Sequence, residues 1–348
     1  MCIRDRKISL INNSIFLALL LVMTSCDDPV DITDVSGDDF QEIEYPCLTS
    51  SEDCINTLNV KGGTFRFFSS FHIDSLSDVS GAIISVHGND RGGDNYFDKM
   101  IAVTSDLGMS DDVLVIAPKF ITQYEQSIDT DLYWSTTSWK WGLQSYSNVI
   151  GERVSSFELI DTLLNRLTNK TFFPQMENIL ITGMSSGAAF VQMFSASKEN
   201  NEYNDVDIHF AVVNSQYFVH PDPLRLMSDG SLSVPENCDS YNHWPLGLDE
   251  LSIYMDSYGK EQLKSKFLSN SVQYFIGEND TSADNITNGC QYEFILGSNR
   301  YDKNINFISY LDALYPSNQH QLTMIPNIGH STNAFSSNIF NGYLNTIF

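Results

Sequence analysis

Asn178-Ile179-Leu180-Ile181-Thr182-Gly183-Met184-Ser185-Ser186-Gly187 decides how this chain folds. The apolar run Asn178 to Thr182 reads as a buried strand, and the pentapeptide Gly183 to Gly187 reads as a sharp strand-to-helix turn. Glycines two before and two after Ser185 relieve crowding at such a turn and lift the serine hydroxyl above the sheet edge. Ala188 to Phe194 continues as a helix, whose first amides lie beside any oxyanion formed at Ser185. A plain Gly/Ser turn after a strand gives the same pattern, so the rest of the chain must supply partners for the serine.

A serine nucleophile needs a histidine base and a carboxylate that orients it. The run Ser271 to Ile276 reads as a strand opening into Gly277-Glu278-Asn279-Asp280, which makes Asp280 the candidate acid, with Glu278 or Asp284 as alternatives. Gln321 to Ile325 reads as the last strand and leads through Pro326-Asn327-Ile328 to Gly329-His330, followed by a helix at the C-terminus. His330 is therefore the candidate base. His72, His209, His220, His243 and His320 lack that setting and read as surface, lid or packing residues. Gly81 to Val86 reads as a central strand ending in His87-Gly88-Asn89-Asp90, the place for a loop that gives one amide to an oxyanion. Asn89 is the leading donor there, with Gly88 or Asp90 as alternatives; Ser186 supplies the other, and His87 is read as a brace for the loop.

With these residues in place, the chain resembles an α/β-hydrolase, specifically the secreted bacterial esterases and lipases with a His-Gly oxyanion loop, over about residues 61 to 348. The resemblance implies Ser185 as nucleophile, Asp280 as acid, His330 as base, and the amides near Asn89 and Ser186 as the oxyanion hole. His87-Gly88 through Arg91 to Tyr96-Phe97 is similar to a His-Gly loop followed by Arg-Asn-Ala and Tyr-Phe in some relatives, although Gly92-Gly93 replaces the Asn-Ala pair here. The implied fold class is α/β, a doubly wound and mostly parallel sheet with lid or cap insertions. Further strand candidates at Thr64–Phe71, Val113–Ala117 and Ile208–Asn214 agree with it, as does an amphipathic helix over Glu152–Leu167.

Ahead of this domain, Arg4, Arg6 and Lys7 precede an apolar run, Ile15 to Met23, too short to span a bilayer. Residues 1–26 read as a signal peptide ending in Leu21-Val22-Met23-Thr24-Ser25-Cys26, which resembles a lipobox with Cys26 as the lipidation site. Residues 27–60 are acidic and read as a tether. The expected location is the bacterial cell envelope, periplasmic or at the cell surface, with the membrane reached through the lipid on Cys26. Four cysteines remain after Cys2 and Cys26: Cys47, Cys54, Cys238 and Cys290. Of the three possible pairings, the most economical joins Cys47 to Cys54 and Cys238 to Cys290, the second tying a lid to the loop after Asp280.

A net charge of −25 argues against nucleic acid as a partner. No glycine pattern for a nucleotide and no Cys/His spacing for a metal is present, so no cofactor is expected. Insertions at about 121–150 and 216–270 should set specificity. The first carries Trp134, Trp139 and Trp141, read either as a substrate-binding cleft for acyl or aryl groups or as a satellite core. The function expected is hydrolysis of small or aromatic acyl esters, or of polyesters. A serine peptidase of the same fold and a non-catalytic lipoprotein binding a polymer or glycan are the alternatives.

Overall fold

A computed structural model describes residues 45–146, 151–203 and 205–348. The signal segment, Cys26 and the tether up to residue 44 lie outside them. The N-terminal part of the fold contains β1 (Ile55–Val60), β2 (Gly63–Ser69), β3 (Gly81–Val86), α1 (Gly93–Asp106) and β4 (Val113–Pro118). Next come α2 (Ser156–Leu167), β5 (Asn178–Met184), α3 (Ser186–Ser195) and β6 (Asp207–Val213). A two-stranded ribbon of β7 (Arg225–Leu226) and β8 (Leu232–Ser233) precedes α4 (Ile253–Asp256), α5 (Lys260–Ser269) and β9 (Ser271–Gly277). The chain closes with α6 (Cys290–Glu293), α7 (Arg300–Leu314), β10 (Gln319–Ile325) and α8 (Asn338–Ile347).

The main sheet has the order β1-β2-β4-β3-β5-β6-β9-β10. Pairing is antiparallel at β1–β2 and β2–β4 and parallel across the other six strands. Parallel strands need covered faces, and the central β3, β4 and β5 are accordingly buried almost throughout rather than alternating, whereas the edge strand β10 is partly exposed. In β3 every residue is buried: Ala82, Ile84 and Val86 pack toward α2 and α3, and Ile83 toward α1 and α8. The amphipathic helix begins at Ser156 rather than Glu152. Its start is fixed by the Ser155 hydroxyl, which accepts from Phe157 N, while the backbone of Ser145 and Ser156 is tied to Val154 and Leu143 in extended pairing.

Residues 45–60, expected in the tether, are part of the folded domain. β1 alternates exposed Thr57 and Asn59 with buried Asn56, Leu58 and Val60, so one face is covered by the domain. Lys61 and Gly62 have φ of 52° and 84°, the geometry of a tight primed hairpin turn, which locks β1 onto β2. A disulfide between Cys47 and Cys54 closes the segment before β1, and a second joins Cys238 to Cys290. Among the described residues no helix is long and apolar enough to cross a membrane.

Candidate active site

Because β3, β5, β6, β9 and β10 run parallel and in register, their C-terminal ends deliver His87, Ser185, Asn214, Asp280 and His330 to one edge of the sheet. At the end of β5, Ser185 has φ 59° and ψ −113°, a conformation that costs a non-glycine residue energy. Its N–H donates to Val213 O at 3.0 Å, which holds the turn against β6. The flanking glycines are required by contact. A Cβ on Gly187 would stand 2.1 Å from Val86 O, and one on Gly183 would stand 2.6 Å from the Gly187 carbonyl carbon. The turn can therefore be this sharp only where both positions lack a side chain.

His330 Nδ1–H donates to Asp280 Oδ2 at 2.8 Å. Asp280 is 1 % exposed, and its backbone is fixed from both sides: its N–H donates to Gly277 O, and its carbonyl accepts from Tyr301 N. Glu278 and Asp284, the alternative acids, are exposed, and the Asp284 carboxylate accepts from Ser282 instead. The acid and histidine loops are also joined to each other, since Glu278 N donates to Ile325 O and Asn279 N to Ile328 O. Ser185 and His330 line one cavity of about 1100 Å³. No hydrogen bond joins them in this geometry; such contacts commonly tighten when substrate binds.

Asn214, which the sequence does not single out, ties three of these strand ends together. Fully buried, with φ 53°, it accepts from Gly277 N at 2.9 Å and donates to Gly329 O at 3.2 Å. A polar residue at a strand end that tolerates left-handed backbone is the signal available in the sequence.

Gly88, Asn89, Asp90 and Ser186 border the cavity. Phe120 N–H donates to His87 Nε2 at 3.0 Å, so the ring proton sits on Nδ1 and is donated to Gly88 O at 2.8 Å. Burial holds this imidazole neutral, with its pKa pulled down to about 4. Arg91 Nη1 donates to Asn89 O at 3.3 Å, so the loop's carbonyls are engaged while the Asn89 N–H has no acceptor among the described residues. Ser186 opens α3, where amides lack intrahelical partners.

The tryptophans stand elsewhere. Trp134 and Trp139 are 1 % and 0 % exposed and belong to the core, which corrects the expectation that they line a cleft. Trp139 stacks on Phe120 at 5.4 Å and lies 4.6 Å from the His87 ring, while Trp134 meets Phe120 edge-on. Their indole N–H groups are satisfied by Leu143 O and Thr136 O, so burial leaves nothing unpaired. Trp141 is partly buried, packed edge-on against Tyr217, and its carbonyl accepts from Trp244 Nε1. The cavity wall on this side is formed by Lys140 and by Gln216 and Tyr217 from the second insertion.

No protein-family model matches the chain, and no curated protein matches it in sequence. Solved structures do match in shape. LpqC, a poly(3-hydroxybutyrate) depolymerase from Bordetella parapertussis, is similar over 84 % of this chain and 90 % of its own, with TM-score 0.59 and 16 % identity. Poly(aspartic acid) hydrolase-1 from Sphingomonas sp. KT-1 is similar over 84 % of this chain and 97 % of its own, with TM-score 0.56 and 16 % identity. The sheet order, its parallel pairing and these likenesses together show that the chain has the α/β-hydrolase fold.

Proposed function

We propose that this protein is a serine ester hydrolase that works through an acyl-enzyme. The observation that carries the reading is the strained Ser185 turn opening into the same cavity as the His330–Asp280 pair. In this reading the Ser185 hydroxyl attacks the ester carbon while His330 Nε2 takes its proton. His330 then returns that proton to the departing alcohol, and water repeats the sequence to release the acid. Asp280 holds the imidazole in the tautomer with Nδ1 protonated. The Asn89 and Ser186 amides stabilise the tetrahedral oxyanion. Of the two solved structures compared above, one is named as the depolymerase of a polyester, which supports polymeric esters as substrates beside small ones, whereas the other is named as a hydrolase of poly(aspartic acid), an amide-linked polymer. Lipidation at Cys26 in the cell envelope belongs to the same proposal, and two disulfides suit an oxidising compartment.

Hydrolysis of 4-nitrophenyl esters from acetate to octanoate by the full chain, beside Ser185→Ala, tests the reading. We expect the variant to lose on the order of 10⁴- to 10⁶-fold in kcat. Equal rates in both proteins contradict it.

A further inference from the structure

Lys140 and Arg300 are both 4 % exposed, and both border the cavity that Ser185 opens into. A buried cation is costly unless an anion stands beside it. Arg300 has one, since its Nη1 lies 3.7 Å from Asp280 Oδ1, and its Nη2 donates to Asn285 O at 3.4 Å. Its Nε is buried without a partner. Lys140 is different. Among the described residues no carboxylate lies within 4 Å of its Nζ, and its close neighbours are the ring faces of Trp141 at 4.6 Å and Tyr217 at 4.9 Å. Desolvation alone pulls its pKa down to about 8, with no opposing charge to restore it.

Tyr217 lies between the two cations: Lys140 covers its ring, and the Arg300 charge acts on its phenol. That phenol bonds to Thr287 Oγ1, and Gln216 grips Asn285 O and Thr287 N, so this wall is built and held. The charges on it do not cancel. Asp280 offsets Arg300, and Lys140 is left as one uncompensated positive charge in a chain of net charge −25. The same cavity is also bordered by Asp90, Asp98 and Lys99. Lys99 donates to Asn333 and Ser336, the Asp98 carboxylate is taken by Ser50, and Asp90 adds a negative charge beside the oxyanion loop.

We propose that the ester bound here carries one carboxylate, held by Lys140 with Arg300 beyond Tyr217. The proposal rests on the ester-hydrolase reading and narrows its substrate class. One uncompensated cation matches a monoanion. A phosphate dianion would lack a second charge, and a long polyanion would also meet Asp90 and Asp98 on the cavity border.

Two matched pairs test it with the full chain at pH 7: mono(4-nitrophenyl) adipate against 4-nitrophenyl hexanoate, and 4-acetoxybenzoate against its methyl ester. The first pair places the charge on the acyl side and the second on the alcohol side. We expect kcat/KM to favour the carboxylate in at least one pair by about tenfold, through KM, as one charge-assisted hydrogen bond allows. Lys140→Met keeps the stem over the rings and should abolish that ratio. Hydrolysis of all four esters with no preference in the wild type overturns the proposal and leaves the esterase reading intact, whatever the variant does. Hydrolysis of none removes the esterase reading, and calorimetry then decides. Binding of monomethyl adipate or 4-hydroxybenzoate, both monoanions at pH 7, that Lys140→Met abolishes supports the anion site; no binding overturns it.

Discussion

The two insertions that flank the cavity are built by opposite means. The segment around Trp134 and Trp139 buries its aromatic rings against Phe120 and Phe190 and supports the His87 loop from beneath. The segment from Gln216 to about residue 270 contains only the short β7–β8 ribbon and the helices α4 and α5, and its irregular part is held to the loop after β9 by the Cys238–Cys290 disulfide and by side-chain grips such as Gln216 on Asn285 and Thr287. Arg225 is another such grip. Fully buried, it directs its guanidinium to the carbonyls of Asp222, Leu224 and Leu246 and to Asn242. One wall is thus fixed by apolar packing, the other by covalent and polar ties. Loosening the packed wall should cost stability alone, whereas loosening the tied wall should cost stability and also change the shape of the cavity.

Trp139→Ala gives the sharpest break in that contrast. Removing a fully buried indole should lower the unfolding free energy by about 3 to 5 kcal/mol, read from a urea midpoint. A variant of unchanged stability but raised KM would return Trp139 to the substrate cleft. On the other wall, changing Cys238 and Cys290 together to Ala releases a crosslink spanning 52 residues. The chain-entropy cost is about 4 kcal/mol, and KM should rise because the Asn285–Thr287 wall loosens. Unchanged KM would mean that the polar grips suffice alone.

Acid probes two buried imidazoles, of which His87 lies against the packed wall. His87 and His320 are buried and neutral, each with its pKa pulled from 6.5 to about 4 by desolvation. A depressed folded pKa gives stability that is complete above the unfolded value of 6.5 and is lost as pH falls toward 4. Each group should therefore account for roughly 3 kcal/mol lost between those limits. In the folded protein His87 takes up a proton only near its own pKa of about 4, and once protonated it can no longer accept from Phe120 N–H, so the protection of that amide against exchange should fall as pH passes through about 4. Protection that persists well below pH 4 would contradict the acceptor role assigned to His87 Nε2.

What can be read from the sequence follows the same division. The strands that carry Ser185 and Asp280 announce themselves as apolar runs ending in glycine and polar residues, because covered parallel strands force that pattern, while the more polar edge strand before His330 is marked mainly by the Gly329-His330 that follows it. β1 is hidden because its apolar positions, Leu58 and Val60, are sparse in a polar stretch, although Lys61-Gly62-Gly63 marks its turn. The aromatic density of residues 133–142 is plain, but density carries no direction, and only packing shows that Trp134 and Trp139 turn inward while Lys140 borders the cavity. Arg300 is illegible for a related reason: 20 positions from Asp280, it meets the acid only because α7 begins beside the loop after β9. Asn214 gives its backbone preference but not its two partners, which come from strands far along the chain.

The central claim is that Ser185 is the nucleophile, and covalent labelling tests it most directly. The full chain is treated with an alkyl fluorophosphonate, and its peptides are mapped by mass spectrometry. A single adduct is expected on the peptide carrying Ser185, formed far more slowly in His330→Ala. Labelling at another residue, or none in folded protein, would contradict it.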